Sequence, residues 1–217
     1  HSFPTRRSSD LLSGRSRAPK KKDIEAQSVD AANVSALAVT GDATLSIVTA
    51  LNGGTAHGTV SLGSATDAWT VGGALRLDAT AANLVLRGDL SAASVDMAAL
   101  QGSLVMSDGR TLVSSGAIHL AGQTGLGLSR ILGSTTDTAQ DIQLDSAAGN
   151  LTDLTADELA NIVTAGRLTL NARSIGARGD ADIDVDAGRL ASIRTTLGAA
   201  FLASSSAAGR SEEHTSE

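Results

Sequence analysis

The chain reads as an all-β protein, a parallel β-helix or closely related β-solenoid, with one short helical insertion around residues 156–164. Three observations predict this. A five-residue pattern of small residue, any residue, aliphatic, any residue, aliphatic recurs through residues 23–209, and period-two alternation makes strands with one buried face. Gly, Asn and Asp separate the copies, and no proline occurs between Lys20 and Gly209, as suits backbone that must donate to an unbroken ladder. Aromatic residues are 1% of the chain, so Leu, Val, Ile and Ala must fill a core too narrow to need bulk.

The pattern appears at 35–39 (SALAV), 43–47 (ATLSI), 58–62 (GTVSL), 73–77 (GALRL), 82–86 (ANLVL), 102–106 (GSLVM), 116–120 (GAIHL), 140–144 (QDIQL), 166–170 (GRLTL) and 181–185 (ADIDV). No copy buries its own apolar face, so the copies must stack on one another. At about 20 residues per coil the region would hold roughly eight to ten coils. The residue between each aliphatic pair, among them Ser46, Ser61, Arg76, His119, Gln143, Thr169 and Asp184, is expected to face solvent, with Val85 and Val105 as apolar exceptions. Connectors at Asn52-Gly53-Gly54, Gly72-Gly73, Asp108-Gly109, Gly122, Gly125, Gly127 and Gly149 suggest repeated reversals through positive φ.

One stretch departs from strand character. Thr155 and Glu158 have capping-box spacing, and Leu159, Ile162 and Val163 would share a helical face, which predicts two helical turns closed near Gly166.

The two ends stand apart. Residues 1–11 (HSFPTRRSSDL) and 210–217 (RSEEHTSE) resemble a sequencing-library adapter read as protein, and are set aside as non-native. The remainder then reads as an internal piece of a longer frame. The net charge of −6 becomes −5 without Arg6, Arg7, Arg210, Asp10, Glu212, Glu213 and Glu217. Residues 12–22 (LSGRSRAPKKK) hold every lysine of the chain. This abrupt shift in composition favours a linker, a misread frame or a joining artefact over a nucleic-acid or anionic-surface patch. Residues 23–209 form the solenoid region. The chain has no cysteine, which excludes disulfides and thiolate metal sites. No apolar run approaches the roughly 20 residues of a membrane span.

Residues 156–170 (ADELANIVTAGRLTL), 174–193 (SIGARGDADIDVDAGRLASI), 105–120 (VMSDGRTLVSSGAIHL) and 147–153 (AAGNLTD) resemble the filamentous haemagglutinin-like repetitive adhesins of bacterial surfaces. The resemblance implies a right-handed parallel β-helix within a very large secreted or outer-membrane-associated protein. It implies a role in adhesion, aggregation or biofilm contact, with host or neighbouring-cell molecules or matrix polysaccharide as partners. It carries over no functional residue, because such repeats share no catalytic set.

Chemistry is sparse. Asp180, Asp182, Asp184 and Asp186 alternate along one stretch and could offer oxygen ligands to calcium. They lack the fixed-register glycine turns of a nonapeptide calcium repeat, so a solvated strand face alternating with Ile183 and Val185 is the favoured reading, and no metal or cofactor is assigned. His119, between inward Ile118 and Leu120, is expected on the outer face; His57 is the other histidine of the solenoid region. No GxSxG elbow or phosphate-binding glycine loop stands in its proper context, and 122–127 (GQTGLG) is merely glycine-rich. A surface polysaccharide-active β-helix enzyme (lyase or glycoside hydrolase) and a passive structural spacer are the alternatives, but a sugar cleft has only Trp69 and Phe201 to build on. Trp69 reads as a packing residue, and no catalytic residue is assigned.

Overall fold

The computed structural model describes residues 22–27, 31–34, 36–48, 58–157 and 159–204. Within them the chain is a parallel β-solenoid with three faces, wound in the order first, second, third. The screw opens with β1 (Lys22–Gln27) on the third face, followed by β2 (Ala31–Val34), β3 (Leu37–Val39) and β4 (Ala43–Val48) on the first, second and third. Six uninterrupted coils then run from Thr59 to Thr195. In the first two coils, β5 (Thr59–Leu62) and β7 (Asn83–Leu86) occupy the first face. Each leads into a long strand, β6 (Trp69–Ala79) or β8 (Leu90–Ala99), that bends to cover the other two. The third coil uses β9 (Ser103–Met106), β10 (Thr111–Ser114) and β11 (Ile118–Gly122), and the fourth β12 (Gly125–Leu128), β13 (Arg130–Leu132) and β14 (Asp141–Ser146). β15 (Leu151–Asp153) and β16 (Ile162–Ala172) make the fifth. In the sixth a single bridge at Ile175 precedes β17 (Ile183–Thr195), and Ala200 with β18 (Leu202–Ser204) begins another coil.

Every strand pairing is parallel, and the pairings carry aliphatic columns through the interior. On the first face Val60, Leu84, Leu104, Leu126, Leu151 and Ile175 stack in register. On the second the column is Leu37, Trp69, Leu90, Leu112, Ile131, Ile162 and Val185. On the third it is Leu45, Leu77, Met97, Leu120, Leu144, Leu170 and Ile193. All are buried except Ile193, and Trp69 is a fully enclosed core residue. Each coil thus buries its apolar edge only because a neighbour lies above and below.

Coils are longer and less uniform than 20 residues. Steps along the first-face column run from 20 residues (Leu84 to Leu104) to 25 (Leu126 to Leu151), and excursions at 133–140 and 154–161 lengthen the fourth and fifth coils. The six uninterrupted coils occupy 59–195, a shorter range than the residues 23–209 for which eight to ten were expected.

The glycines serve a different purpose from the one their sequence context suggests. Of those named as reversals among the described residues, only Gly109 has a positive φ, 71°. At the corner between second and third faces a Cβ on Gly188 would fall on the Ala165 carbonyl, and one on Gly166 on the Gln140 carbonyl. Close approach of successive coils, rather than handedness of the backbone, excludes a side chain there.

The expected helix is absent: among the described residues there is none. Ile162 and Val163 belong instead to β16, paired with Ile131 and Leu132 on one side and with Val185 and Asp186 on the other. The Thr155 hydroxyl donates to Asp153 Oδ1 at 2.7 Å, and so does its amide at 2.8 Å; Glu158 lies outside the described residues. A two-turn helix carries a nucleation cost that short length does not repay, whereas extension of the ladder satisfies the same backbone on both sides.

Candidate functional site

The most connected group of polar side chains lies on the outer surface of the third face. Register places Arg76, Asp96, His119, Gln143 and Thr169 in one outward column. Asp78, Ala98, Ala121, Asp145 and Asn171 form the next. The small Ala98 and Ala121 leave room for the long side chains beside them. His119 Nδ1 lies 2.9 Å from Asp96 Oδ1 and Nε2 lies 3.2 Å from Asp145 Oδ2, so the ring bridges the coils below and above its own. Asn171 Nδ2 donates to Asp145 Oδ1 at 2.6 Å, adding a fourth coil. Arg76 extends the chain downward, with Nε 3.0 Å from Asp78 Oδ2 and Nη1 3.3 Å from Asp96 Oδ2. The hydrogen bond to Asp78, then the charges of Asp78 and Asp96, hold the Arg76 guanidinium above the usual arginine value.

This arrangement is suited to clamping rather than to proton transfer. Both ring nitrogens of His119 face carboxylate oxygens, whereas a general base needs a free lone pair facing its substrate. The sequence placed His119 on the outer face, which is where it stands, but gave no sign of its partners. They lie 23 and 26 residues away, about one coil on either side, so a known coil length would have found them.

The four aspartates do not share a strand face. Asp180 and Asp182 sit in the turn after Gly179, Asp186 is exposed on β17, and Asp184 is buried at 5% exposure between buried Ile183 and Val185. The Asp184 amide donates to Asn161 Oδ1 at 2.8 Å, inside contacts made by the 154–161 excursion. The expected solvated face therefore fails at its centre, Asp184. Ser61 also departs from its expected exposure and is buried. No group of three or more His, Asp or Glu is set to hold a metal among the described residues.

The glycine-rich run 122–127 lies in β11, β12 and the short turn joining them. β12 is followed by β13 rather than by a helix, so the run has no helix N-terminus on which a phosphate could rest. Gly125 and Gly127 instead floor a shallow hollow of about 270 Å³ on the first face, rimmed by Ser103, Val105, Asn150, Thr152 and Leu154. None of its lining residues is charged. Phe201 is half-buried, with the Arg178 guanidinium 5.8 Å from its ring centroid. His57 and residues 12–21 lie outside the described residues.

No protein-family model, curated protein or solved structure matches the chain. No helix among the described residues is long and apolar enough to cross a membrane.

Proposed function

We propose that this chain is an internal stalk or display segment of a large secreted or outer-membrane-associated bacterial adhesin, acting in adhesion, aggregation or biofilm contact. The observation that carries the reading is the continuous three-faced stack, in which length is added coil by coil while the side chains of each outer face stay available for display. The polar groups of the third face support it. Arg76, Asp96, His119, Asp145 and Asn171 bind one another across coils, which suits a surface that must stay extended. The sequence resemblance of 156–193 to repetitive adhesins supplies the biological setting, and the solenoid fold alone does not, since one fold hosts many functions.

The test is retention of beads coated with the full chain on bacterial and epithelial cell layers under flow. Retention above that of uncoated beads, lost on competition with soluble chain, supports a binding display segment. Retention equal to bare beads favours a passive spacer. Release of reducing ends or unsaturated sugars from a surface polysaccharide panel would replace both readings with an enzyme.

A further inference from the structure

We infer that the hollow on the first face is a binding site for an uncharged pyranose residue of a polysaccharide. The inference rests on the display reading above and gives that surface a ligand class. The hollow exists because two successive outward positions of β12 are glycine. Register sets Gly125 beside Ser103 and Gly127 beside Val105 of the coil below, and Gly127 beside Thr152 of the coil above. A trough one strand wide results, of about 270 Å³, with side chains on both flanks and bare backbone as its floor. It lies in the fourth of the uninterrupted coils, with described coils on either side.

The fold does not ask for both glycines. Glycine inside a strand weakens it, and marks a bulge, a bend, or a place where a backbone or a ligand comes close. β12 pairs on both sides without a register shift, and neither glycine has a positive φ. At Gly127 the Leu154 side chain fills the space that a Cβ would take. At Gly125 the nearest atoms to an added Cβ, the Asn150 carbonyl oxygen and the Ser103 Cβ, lie 3.9 Å away, so no neighbour excludes a side chain. What remains for Gly125 is a ligand that comes down onto the backbone.

The lining selects the ligand. None of it is charged, and a charged group set there would lose water without gaining a partner. No aromatic ring lines it either, so a flat aromatic ligand has nothing to stack on. The rim carries exposed Thr124, Asn150 and Thr152, whose side chains have no hydrogen-bond partner among the described residues; their hydroxyls and carboxamide both donate and accept. Val105 and Leu154 supply apolar contact at the Gly127 end. A neutral pyranose matches this lining: the hydroxyls around its edge meet the rim, and its C–H face rests on the glycine floor and Leu154.

Amide chemical shifts of the isotope-labelled full chain test this during titration with uncharged tetrasaccharides of glucose, galactose and mannose, and with tetragalacturonate as the charged control. The expected result is a saturable shift of the Gly125 and Gly127 amides and the Asn150 carboxamide with at least one neutral probe, at a Kd of about 1 mM as suits so shallow a site, and none with tetragalacturonate. Gly125→Val fills the trough and Thr152→Val removes one hydroxyl, and each should weaken binding about fivefold or more. Circular dichroism confirms that the variants stay folded, and the exposed Thr152 serves if Gly125→Val does not. No shift at these residues with any neutral probe up to about 20 mM, an equal response to tetragalacturonate, or parent-like binding by both variants would overturn the inference. Absent shifts together with parent-like retention of beads coated with Gly125→Val would remove this site and leave the display reading standing.

Discussion

Asn161 and Asp184, 23 residues apart, are joined by a hydrogen bond of 2.8 Å in which the buried asparagine oxygen accepts the Asp184 amide. The same asparagine donates to the Ser129 carbonyl at 3.1 Å, to Asp153 Oδ1 at 2.8 Å and to Thr155 Oγ1 at 3.2 Å. One carboxamide thus ties the 154–161 excursion to the coil below and the coil above, using donor and acceptor at once. Asn161→Ala would leave the Ser129 carbonyl and Asp184 amide without this partner. It should lower stability by roughly 2–4 kcal/mol, as expected for orphaned buried polar groups. Urea unfolding measures this, and a loss below about 0.5 kcal/mol would show that the excursion is held by something else.

Two glycines separate steric need from mere presence. Gly166→Ala would push a methyl onto the Gln140 backbone and should cost about 1–3 kcal/mol. At Gly125 the nearest atoms to an added Cβ are 3.9 Å away and φ is not positive. Gly125→Ala should therefore be neutral or stabilising by up to about 1 kcal/mol. Equal destabilisation of the two variants would contradict the close-approach account of the corners.

The aliphatic columns should dominate stability. Leu77→Ala, at a fully buried site, is expected to cost about 2–5 kcal/mol. Leu159→Ala, 55% exposed, should stay within about 0.5 kcal/mol of the parent. A large loss at Leu159 would indicate that the predicted helix forms and packs after all.

The third-face cluster should be a small, salt-sensitive contributor. The His119 side chain is 40% exposed, so His119→Ala should cost no more than about 1 kcal/mol, and less in about 1 M salt. Arg76 has a raised pKa; a raised base stabilises the fold below its unfolded pKa and loses that only as pH climbs through the folded one. Both lie far above neutrality, so the Arg76 pairing should contribute equally from about pH 6 to about pH 10. Thermal melts of the parent and an Arg76→Gln variant across that range should run parallel, and a gap that narrows with pH would refute the assignment.

Calcium should leave the thermal midpoint unchanged, because Asp184 is buried while Asp180 and Asp186 are exposed. Melts with about 5 mM calcium and with chelator test this, since a ligand that binds only the folded chain raises the midpoint. A reversible upward shift would restore the aspartates as a site.

Much of the interior was legible because alternation is a local property: Leu77, Leu120, Leu144 and Leu170 announce their inward direction by their spacing from Leu75, Ile118, Ile142 and Leu168. The helix expected around 156–164 fails for the same reason. Thr155 and Glu158 satisfy a local rule, and the competing partners Ile131 and Val185 of Ile162 are one coil away on either side.

By itself, then, the sequence determined the material of the fold: short alternating strands, an aliphatic core almost without aromatics, and so a stack in place of a globule. Only the tertiary structure decided which coil meets which. It buried Asp184, gave His119 its two carboxylates and made the corner glycines a matter of contact. The physical reason is that side-chain direction follows from the two-residue period of a strand. Register between coils of unequal length is set by packing and hydrogen bonds that close only when the neighbouring coils are in place.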